Sequence, residues 1–460
     1  MYRYVTILAV VLLSVFLATE RASAQVFPLK VSADGRHIVG QDDQPFFING
    51  DTAWSLIGQV SKEDAELYLR DCAANGFNSV VVTLVEGYFA DNAPANFYGV
   101  QPFTTANDFT TPNEAYFEHA DWVINKAAEL GLQLIVAPNY LGCCDDGWLE
   151  ALTNNNSVAD ARWYGEWIGE RYKDFPNLIY VWGNDLNPSS VRDKIRAMAE
   201  GVDSRDQNHL HTYHASAENS ALDQWEASES WLDINITYTY QPVQQKSLED
   251  YNRSPFLPFF LFESQYENDF LGAQPEQVRK QAYTAVLTGA NGHHYGSWPI
   301  WHMNGKPNDD QVDWKDTLGY EGRIDMKHVK ELFESRDWHT LVPDQGHQLV
   351  TSGYGSGDSF VAAALTGDSA TAIVYLPRRT TISLDLGQIS GDSKTGWWFN
   401  PRDGSAVEIG TLAGSGSMSF TPSSGDDWVM VIDDASRDFR APGEVTAVVR
   451  PNPPENLRVE

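Results

Sequence analysis

The feature that most constrains this chain is a regular alternation of short, apolar, β-rich runs with longer amphipathic segments. Patterns such as SKEDAELYLRDCAANG and VADARWYGEWIGERYKDF separate the runs and have the 3.6-residue period of helices. The eight runs are 46–49, 79–84, 133–137, 178–182, 210–213, 234–238, 258–262 and 293–298. Eight strand–helix alternations predict an α/β fold in the form of a parallel (β/α)8 TIM barrel. An open nucleotide-binding sheet is disfavoured because no G-x-G-x-x-G motif follows an early strand.

The segments on either side of this barrel have a different character. Before it, LKVSADGRHIVGQ predicts a hairpin that turns at Asp34 and Gly35. Beyond Trp338, short alternating strands with Gly, Ser and Asp turns predict a C-terminal antiparallel β-sandwich domain. The last residues are rich in proline and charge, which is typical of a linker. The predicted organisation is a signal peptide over 1–24, the hairpin and barrel over 25–340, the sandwich over 341–434, and a linker or tail over 435–460.

The first residues, MYRYVTILAVVLLSVFLATERASA, have the pattern of an export signal. Arg3 gives a short basic start, an apolar run follows over 5–18, and Ala22, Ser23 and Ala24 supply small residues for cleavage. A membrane helix is the alternative, but the apolar run is shorter than the roughly 20 residues that a span needs. We therefore expect cleavage near Ala24, a secreted or periplasmic protein, and no membrane span.

The cysteine count gives no disulfide framework, because an exported chain with three cysteines cannot rely on several bridges. Cys72 lies in a helical pattern and is expected to be a buried free thiol. Cys143 and Cys144 are adjacent, with Cα atoms about 3.8 Å apart, below the usual disulfide range. A bridge between them would be strained, but active-site loops tolerate strain, so both states stay open.

Charge and composition narrow the class of partner. The formal net charge of −31 opposes binding to nucleic acid and to anionic membrane surfaces. The chain has 15 Trp and 20 Tyr, a surplus that suits stacking on the C–H faces of sugars. No group of His, Asp and Glu has the spacing of metal ligands, so we predict no catalytic metal and no cofactor. The expected partner is an oligosaccharide or polysaccharide.

Two acidic residues close strands that face each other across the predicted barrel. Asp185 follows the fourth run, NLIYVWGND, and Glu263 follows the seventh, LPFFLFE. Chemistry in such barrels takes place at the C-terminal ends of the strands, and glycosidic cleavage needs two carboxyl groups on opposite faces of the sugar. We predict that their carboxyl oxygens lie within about 6 Å of each other, as in a retaining enzyme. A helix cap for Asp185 and a buried ion pair for Glu263 are the alternatives.

Other polar and aromatic residues near strand ends are candidates for substrate contact. Asp51 and Trp54 follow the first strand, where the acid is expected to hold sugar hydroxyls and the ring to stack on the sugar. Turn, loop or packing roles are the alternatives for these candidates. The remaining substrate-binding candidates are Glu86, Asn139, Tyr140, Tyr238, Tyr240, His294, Trp298 and Trp301.

Several motifs together resemble one family of enzymes. They are PFFINGDTAW, NGFNSVVV, the WGND of the fourth run, the FES of the seventh, GHHYGSWPIW, WWFNPRDG and GDDWVMVID. With these motifs the chain resembles the apiosidase-like glycoside hydrolases, glycoside hydrolase family 140 of clan A. The resemblance implies that Asp185 is the acid/base, that Glu263 is the nucleophile, and that Asn184 binds the 2-hydroxyl of the substrate. Most of the wider clan has Glu where this chain has Asp185.

The resemblance extends to the predicted sandwich, which is similar to a module often labelled collagen-binding. Nothing in its residues favours collagen as a ligand. We expect this module to stabilise the barrel rather than to bind polymer.

Three hypotheses about function follow. The first is a retaining glycosidase that acts on side chains of plant or algal polysaccharides, and the resemblance implies apiose-containing pectic chains. The second is another clan A activity, such as an arabinosidase, a galactosidase or an endo-glycanase. The third is a non-catalytic carbohydrate-binding barrel, and the presence of both carboxylates counts against it. A serine esterase is disfavoured because no G-x-S-x-G elbow follows a strand.

Overall fold

The computed structural model describes residues 26–142, 146–307 and 312–444. The predicted signal peptide, the pair Cys143 and Cys144, and most of the predicted tail lie outside these residues. Cys72 is a buried free thiol, as predicted. No helix within the described ranges has both the length and the apolar character that crossing a membrane requires.

A sheet of eight parallel strands forms the centre of the molecule and confirms the predicted barrel. The strands are β1 (Ile48–Thr52), β2 (Ser79–Thr83), β3 (Gln133–Ala137), β4 (Leu178–Gly183), β5 (Leu210–His214), β6 (Asn235–Tyr238), β7 (Phe259–Glu263) and β8 (Gly292–Tyr295). Neighbours in sequence pair in parallel from β1 to β5 and from β6 to β8, and β8 returns to pair with β1. Between β5 and β6 the barrel closes through fewer bonds, among them Thr212 Oγ1 donating to Ile234 O at 2.8 Å.

A helix follows each barrel strand. The helices are α1 (Lys62–Ala74), α2 (Glu114–Glu129), α3 (Val158–Tyr172), α4 (Arg192–Asp203), α5 (Ala221–Gln224), α6 (Val243–Tyr251), α7 (Pro275–Leu287) and α8 (Glu321–Glu334). Ser61 caps α1 by accepting a hydrogen bond from the Asp64 N–H, as its sequence position predicts. Additional short helices occupy Leu56–Gln59, Leu149–Asn154, Trp298–Trp301, Trp314–Gly319 and Trp338–Thr340.

Inward-facing side chains fill the barrel beneath its C-terminal mouth. Ile135, Ile179 and Phe260 are fully buried there, in the layered packing that TIM barrels share. His294 of β8 also points inward, and a Cβ atom on Gly50 would lie 1.4 Å from its ring. A glycine at position 50 is therefore what admits the His294 ring to the interior.

The N-terminal hairpin closes the other end of the barrel. Lys30–Val31 pairs antiparallel with Ile38–Val39, and Leu29 and Ile38 pack on the same buried cluster as the barrel interior. The Asn291 side chain accepts a hydrogen bond from the Ile38 N–H and so ties the hairpin to β8. The mouth formed by the C-terminal strand ends is left as the accessible end.

An antiparallel β-sandwich follows the barrel and confirms the second part of the fold prediction. Its strands are β9 (Val342–Pro343), β10 (Val350–Ser352), β11 (Ala362–Leu365), β12 (Thr371–Leu376), β13 (Ile382–Asp385), β14 (Ser393–Phe399), β15 (Ala406–Ala413), β16 (Ser417–Phe420) and β17 (Trp428–Asp434). One sheet has the order β9-β11-β12-β17-β14-β15 and the other has the order β10-β13-β16. Apolar side chains from both sheets share one core.

The larger sheet packs against α7 of the barrel. Arg279 is buried there and donates hydrogen bonds to Asp427 of the sandwich at 2.6 Å and to Asp325 of α8 at 2.5 Å. Beside it, the rings of Tyr283 and Tyr375 stack with their centroids 5.1 Å apart. Buried residues of both domains therefore form one continuous core across the interface.

Candidate active site

A cavity of about 330 Å³ opens at the C-terminal ends of the barrel strands. Its walls come from all eight strand ends or from the loops that follow them. The lining residues are Trp54, Thr83, Phe89, Tyr140, Asp146, Asp185, His214, Tyr238, Tyr240, Glu263, Tyr266, Asp269, Phe270, Trp298 and Trp301. Both predicted catalytic carboxylates and six of the predicted substrate contacts are among them.

Asp185 is presented to the cavity by a left-handed turn at the end of β4. Gly183, Asn184 and Asp185 have φ angles of 84°, 63° and 57°. Glycine, asparagine and aspartate are the residues that adopt this conformation most readily. At position 183 only glycine fits, since a Cβ atom would lie 2.5 Å from the ring of Tyr213. The sequence Gly-Asn-Asp thus encodes the turn as well as the acid.

Glu263 lies at the end of β7, where the ladder to β6 is irregular. Thr237 pairs with Leu261 and the next residue, Tyr238, pairs with Glu263, so Phe262 is the extra residue of a bulge. Bulges next to functional sites redirect a side chain. Glu263 lines the cavity, with its side chain 12% exposed.

His214, at the end of β5, lies between the two carboxylates. Its Nδ1 accepts a hydrogen bond from the Asp185 backbone N–H at 3.2 Å, so the proton of the neutral ring is on Nε2. Nε2 lies 3.1 Å from Glu263 Oε2, although the two groups are not aligned as a regular hydrogen bond. Trp54 stacks on the ring, with centroids 5.6 Å apart and planes at 17°. The imidazole therefore contacts both the acid turn and the facing carboxylate.

The electrostatics of the cavity favour a protonated Asp185. Burial raises the pKa of Asp185 to about 7, the negative charges of Glu263 and Asp146 add to the rise, and His214 opposes it. The described lining contains no lysine or arginine that could neutralise these carboxylates. Asp185 can therefore keep its proton near neutral pH.

Aromatic rings build one wall of the cavity. Trp298 and Trp301 have centroids 5.8 Å apart, and Phe89 packs edge-on to Trp301 at 4.8 Å and to Tyr140 at 5.5 Å. At the rim Phe270 is 69% exposed and lies edge-on to Trp298. Such a wall offers flat apolar surfaces to the C–H faces of a sugar.

Two tyrosines of the β6 end lie beside the carboxylates. Tyr238 Oη donates to Tyr240 Oη at 3.1 Å, and both residues line the cavity. Burial and the charge of Glu263 raise the pKa of both Tyr238 and Tyr240, so the two remain neutral hydroxyls. Because Tyr238 uses its one hydroxyl proton on Tyr240, the Tyr240 hydroxyl is the one that can donate to a carboxylate or to a substrate oxygen.

Two of the predicted substrate contacts are corrected by the structure. Asp51 lies on the outer face of β1, because Ile48 and Gly50 use the inward positions, and its carboxylate accepts from Arg323 at 3.0 Å. Glu86 is buried under the loop after β2, where it accepts hydrogen bonds from the backbone N–H groups of Tyr88 and Phe89 at 3.0 Å. Both acids organise the wall and the loop, and neither lines the cavity.

Three further candidates lie near the cavity without lining it. Asn139 is buried against α4, with Nδ2 3.8 Å from Met198 Sδ. His294 lies inside the barrel, where Nε2 is 3.2 Å from Ser79 Oγ and burial lowers its pKa to about 3. Asn184 is fully buried in the left-handed turn, and its side-chain amide has no hydrogen-bond partner among the described residues.

Several lining residues were not among the predictions. Asp146 and Phe270 come from loops, and Asp269 folds the loop after β7 by accepting from the backbone N–H of Tyr266 at 3.1 Å and of Leu271 at 2.8 Å. The position of His214 in the sequence could have indicated a site residue, because it closes a strand as Asp185 and Glu263 do. The described residues contain no group of three or more His, Cys, Asp or Glu side chains arranged to hold a metal ion.

These features define a glycoside hydrolase of the TIM-barrel class, and comparisons with known proteins identify its family. A family model described as "Apiosidase-like, catalytic domain" matches residues 32–340, which is most of the chain. The protein therefore belongs to the apiosidase-like glycoside hydrolases. A second model, described as "Putative collagen-binding domain of a collagenase", matches residues 342–433, which span the sandwich.

Solved structures support the assignment to the glycoside hydrolases. A structure named "Glycoside hydrolase" is 26% identical, with a TM-score of 0.79 over 90% of this chain and 98% of that chain. A glycoside hydrolase family 5 structure from Bacteroides vulgatus is 25% identical, with a TM-score of 0.80 over 90% of this chain and 94% of that chain. A search of curated proteins gave no match.

Proposed function

We propose that this protein is a secreted, retaining glycosidase in which Glu263 is the nucleophile and Asp185 is the acid/base. The observation that carries the proposal is the pair itself: carboxyl groups from the ends of β4 and β7 line one aromatic cavity without a cation in its described lining. Because the pKa of Asp185 is raised to about 7, a proton is available to a leaving group at neutral pH. The separation of the two carboxyl groups stays a prediction of about 6 Å or less.

In the first step Glu263 attacks the anomeric carbon of the bound sugar. A bond forms between a Glu263 oxygen and that carbon while the glycosidic C–O bond breaks. Asp185 transfers its proton to the departing oxygen, so the leaving saccharide is released as a neutral alcohol. His214 contacts the carboxylate from the side of β5, and Tyr238 packs against the His214 ring from the side of β6.

In the second step water replaces Glu263 on the anomeric carbon. Asp185, now a carboxylate, accepts one proton from the water as its oxygen bonds to carbon, and the Glu263 ester bond breaks. This returns both carboxyl groups to their starting protonation states. Two displacements at one carbon retain its configuration.

The substrate that best suits the family is a saccharide side chain of a plant or algal polysaccharide. Membership of the apiosidase-like hydrolases supports apiose-containing pectic chains, and assignment to glycoside hydrolase family 140 is part of the same proposal. The aromatic wall supplies stacking surfaces for the sugar, and the unpartnered amide of Asn184 can reach a 2-hydroxyl if a side-chain rotation opens it to the cavity. The export-signal pattern of residues 1–24 supports action outside the cytoplasm.

A second candidate function is another activity of the same clan, such as an arabinosidase, a galactosidase or an endo-glycanase. The similarity to a family 5 structure at 25% identity supports this second candidate, since strand-end carboxylates are common to these enzymes. Product analysis on a panel of pectic and marine polysaccharides distinguishes the candidates. Release of apiose-terminated products supports the first candidate, and release of hexose or arabinose products supports the second.

Two substitutions test the roles of the carboxylates. Glu263→Ala should abolish turnover on every substrate, with azide restoring some activity and giving a product of inverted configuration. Asp185→Ala should reduce turnover about 10²–10⁴-fold with a poor leaving group and much less with an activated aryl one. Glu226→Ala, which removes an exposed acid beyond α5, is the matched control and should leave both rates unchanged. Equal behaviour of both catalytic variants on the two substrates would reject the assigned roles.

A further inference from the structure

The catalytic cavity adjoins a second recess between the barrel and the sandwich. Tyr240 lines both spaces. The second recess has a volume of about 420 Å³ and is lined by Gln241, Pro242, Val243, Gln244, Gln265, Gln277, Lys280, Gln281, Thr284, Gly357, Asp358 and Phe360. A smaller recess of about 210 Å³ shares Gln265, Gln277 and Lys280 with it and extends to Arg378 of the sandwich. We call these two adjoining recesses, lined by residues from Tyr240 to Arg378, the seam groove.

The chemistry of the seam groove is dominated by amides. Five glutamines line its central part. Gln244 and Thr284 are at least nine-tenths buried, so their side chains are fixed parts of the walls. The described hydrogen bonds use Nε2 of Gln244 and Gln277 and leave the amide oxygens of both without a donor within the described residues. These oxygens are available to hydroxyl donors.

We propose that the seam groove binds the saccharide on the leaving-group side of the scissile bond, through its hydroxyl groups. This inference rests on the proposed glycosidase function and adds to it a second binding region, built by both domains. Amides can donate and accept at once, as vicinal hydroxyls require. The volume of the groove is within the range of about 300–1,000 Å³ that small-ligand sites occupy.

The direction of the groove follows from how the catalytic cavity is closed. On the side of β2, β3 and β8, Phe89 packs against both Trp301 and Tyr140, and the three rings form a wall. On the side of β6 and β7, Tyr240 lines both the cavity and the seam groove. A sugar stacked on the aromatic wall would therefore direct the rest of its chain into the groove.

The charges of the groove favour hydroxyl recognition over recognition of a charged polymer. Lys280 is paired with Asp358 at 3.0 Å, so the central recess has no net charge among its described residues. A paired lysine and aspartate offer donors and acceptors side by side. The sandwich thus supplies Asp358 and the Gly357 carbonyl, which accepts from Gln244 Nε2 at 3.3 Å.

The test compares two substrates that share the same glycone. One is an activated aryl glycoside, and the other is a long uncharged oligosaccharide with that glycone, obtained from a plant polysaccharide by partial hydrolysis, removal of the uronic-acid fragments and fractionation by length. The double variant Gln244→Ala/Gln277→Ala should lower kcat/KM for the oligosaccharide about tenfold, mainly through KM, because each hydrogen bond contributes roughly three- to tenfold. The rate on the aryl glycoside should stay within about twofold of the wild type.

A matched control separates the groove from the stability of the domain interface. Gln345 also joins the two domains, through reciprocal amide hydrogen bonds with Asn252 at 2.8 and 3.2 Å, but it does not line the groove. Gln345→Ala should leave kcat/KM unchanged on both substrates. Equal losses on both substrates in the double variant, or no loss on either, would overturn the proposal.

Binding measured without turnover distinguishes failure of the groove from failure of the proposed function. Calorimetry with the Glu263→Gln protein should give affinity that rises with oligosaccharide length, and the double variant should lose that dependence. If the wild type cleaves neither substrate but binding keeps this length dependence, the glycosidase function fails and the groove stands. Absence of binding, or affinity independent of length, rejects the groove.

Discussion

Two aspartates close barrel strands, and their surroundings give them opposite roles. Asp51 at the end of β1 faces outward, where the buried guanidinium of Arg323 donates to it at 3.0 Å and also contacts Asp71 of α1. Asp185 beyond β4 faces a cavity whose described lining has neither lysine nor arginine. The first region pairs its carboxylate with a guanidinium, whereas the second places two carboxyl groups together with only the His214 imidazole between them. An acid at a strand end therefore becomes structural or chemical according to whether a cation from elsewhere in the chain reaches it.

Removal of the cation from the first region should produce the largest effect. Arg323→Met leaves Asp51 and Asp71 without their partner in a buried setting, and the free energy of unfolding should fall by about 3–5 kcal/mol. The rate per folded molecule should change little, because Arg323 does not line the cavity. Chemical denaturation and active-site-normalised rates measure the two quantities.

The double variant Arg323→Met/Asp51→Asn is the control, since it removes both charges of the pair. It should recover part of the lost stability. A double variant no more stable than Arg323→Met would show that packing, rather than the unpaired charge, causes the loss. Glu263→Gln provides the reverse case, with lost turnover and unchanged or higher stability.

Substitutions of His214 test how the second region holds its carboxyl groups. His214→Leu removes both polar contacts and should lower kcat about 10–100-fold with little change in KM. His214→Asn can keep an acceptor for the Asp185 N–H, and His214→Gln can keep a donor near Glu263. Each should recover part of the loss. If neither amide variant exceeded His214→Leu, a purely packing role against Trp54 would explain the residue.

The pH dependence of the rate should report the proton on Asp185. Its pKa is raised above the ordinary value, so the acid is present below about pH 7 and is lost as the pH rises through that value. On a substrate with a poor leaving group, kcat/KM should therefore decline above about pH 7. The Asp185→Ala variant should lack this decline. A wild-type rate that stayed level up to pH 9 would contradict the assignment of Asp185 as the acid.

The smallest expected effect concerns the neighbouring acid. The charge of Asp146 contributes to the raised pKa of Asp185, after burial and the charge of Glu263. Asp146→Asn should therefore move the basic limit of the pH–rate profile to lower pH, with kcat at its plateau nearly unchanged. Asp269→Asn is a useful comparison, because its carboxylate is engaged by backbone N–H groups of its own loop. A shift to higher pH in Asp146→Asn would show that its charge does not act on Asp185.

The strands and the placement of Asp185 and Glu263 at one cavity were predictable because their signals are local. Several barrel strands are short apolar runs, such as SVVVT in β2 and FFLFE in β7, and the observed bounds of β3 equal the predicted 133–137. The left-handed turn that includes Asp185 also has a local signal, because Gly, Asn and Asp adopt positive φ angles most readily. The predicted substrate contact for Asp51 was wrong because side chains alternate along a strand: Ile48 and Gly50 occupy the inward face of β1, so Asp51 occupies the outward one.

The remaining wall of the cavity could not be predicted from local pattern. Phe270 and Asp146 lie in loops, and their positions depend on how those loops fold against distant residues. Glu86 shows the same limit, because its role is set by the backbone of a loop that turns back over it. Long-range pairing, such as Arg323 with Asp51, has no signature in either segment alone.

The packing of α7 on the sandwich makes the barrel depend on the second domain to cover one of its helices. A gene shortened at residue 341 would encode a barrel in which Arg279 has lost Asp427 and Tyr283 has lost the ring that covers it. Such a protein would expose the apolar face of α7 to solvent and would be prone to aggregate during expression. Lineages that discard the module would have to make α7 more polar at the same time. The helix surface of a relative should thus reveal whether its ancestors carried a sandwich.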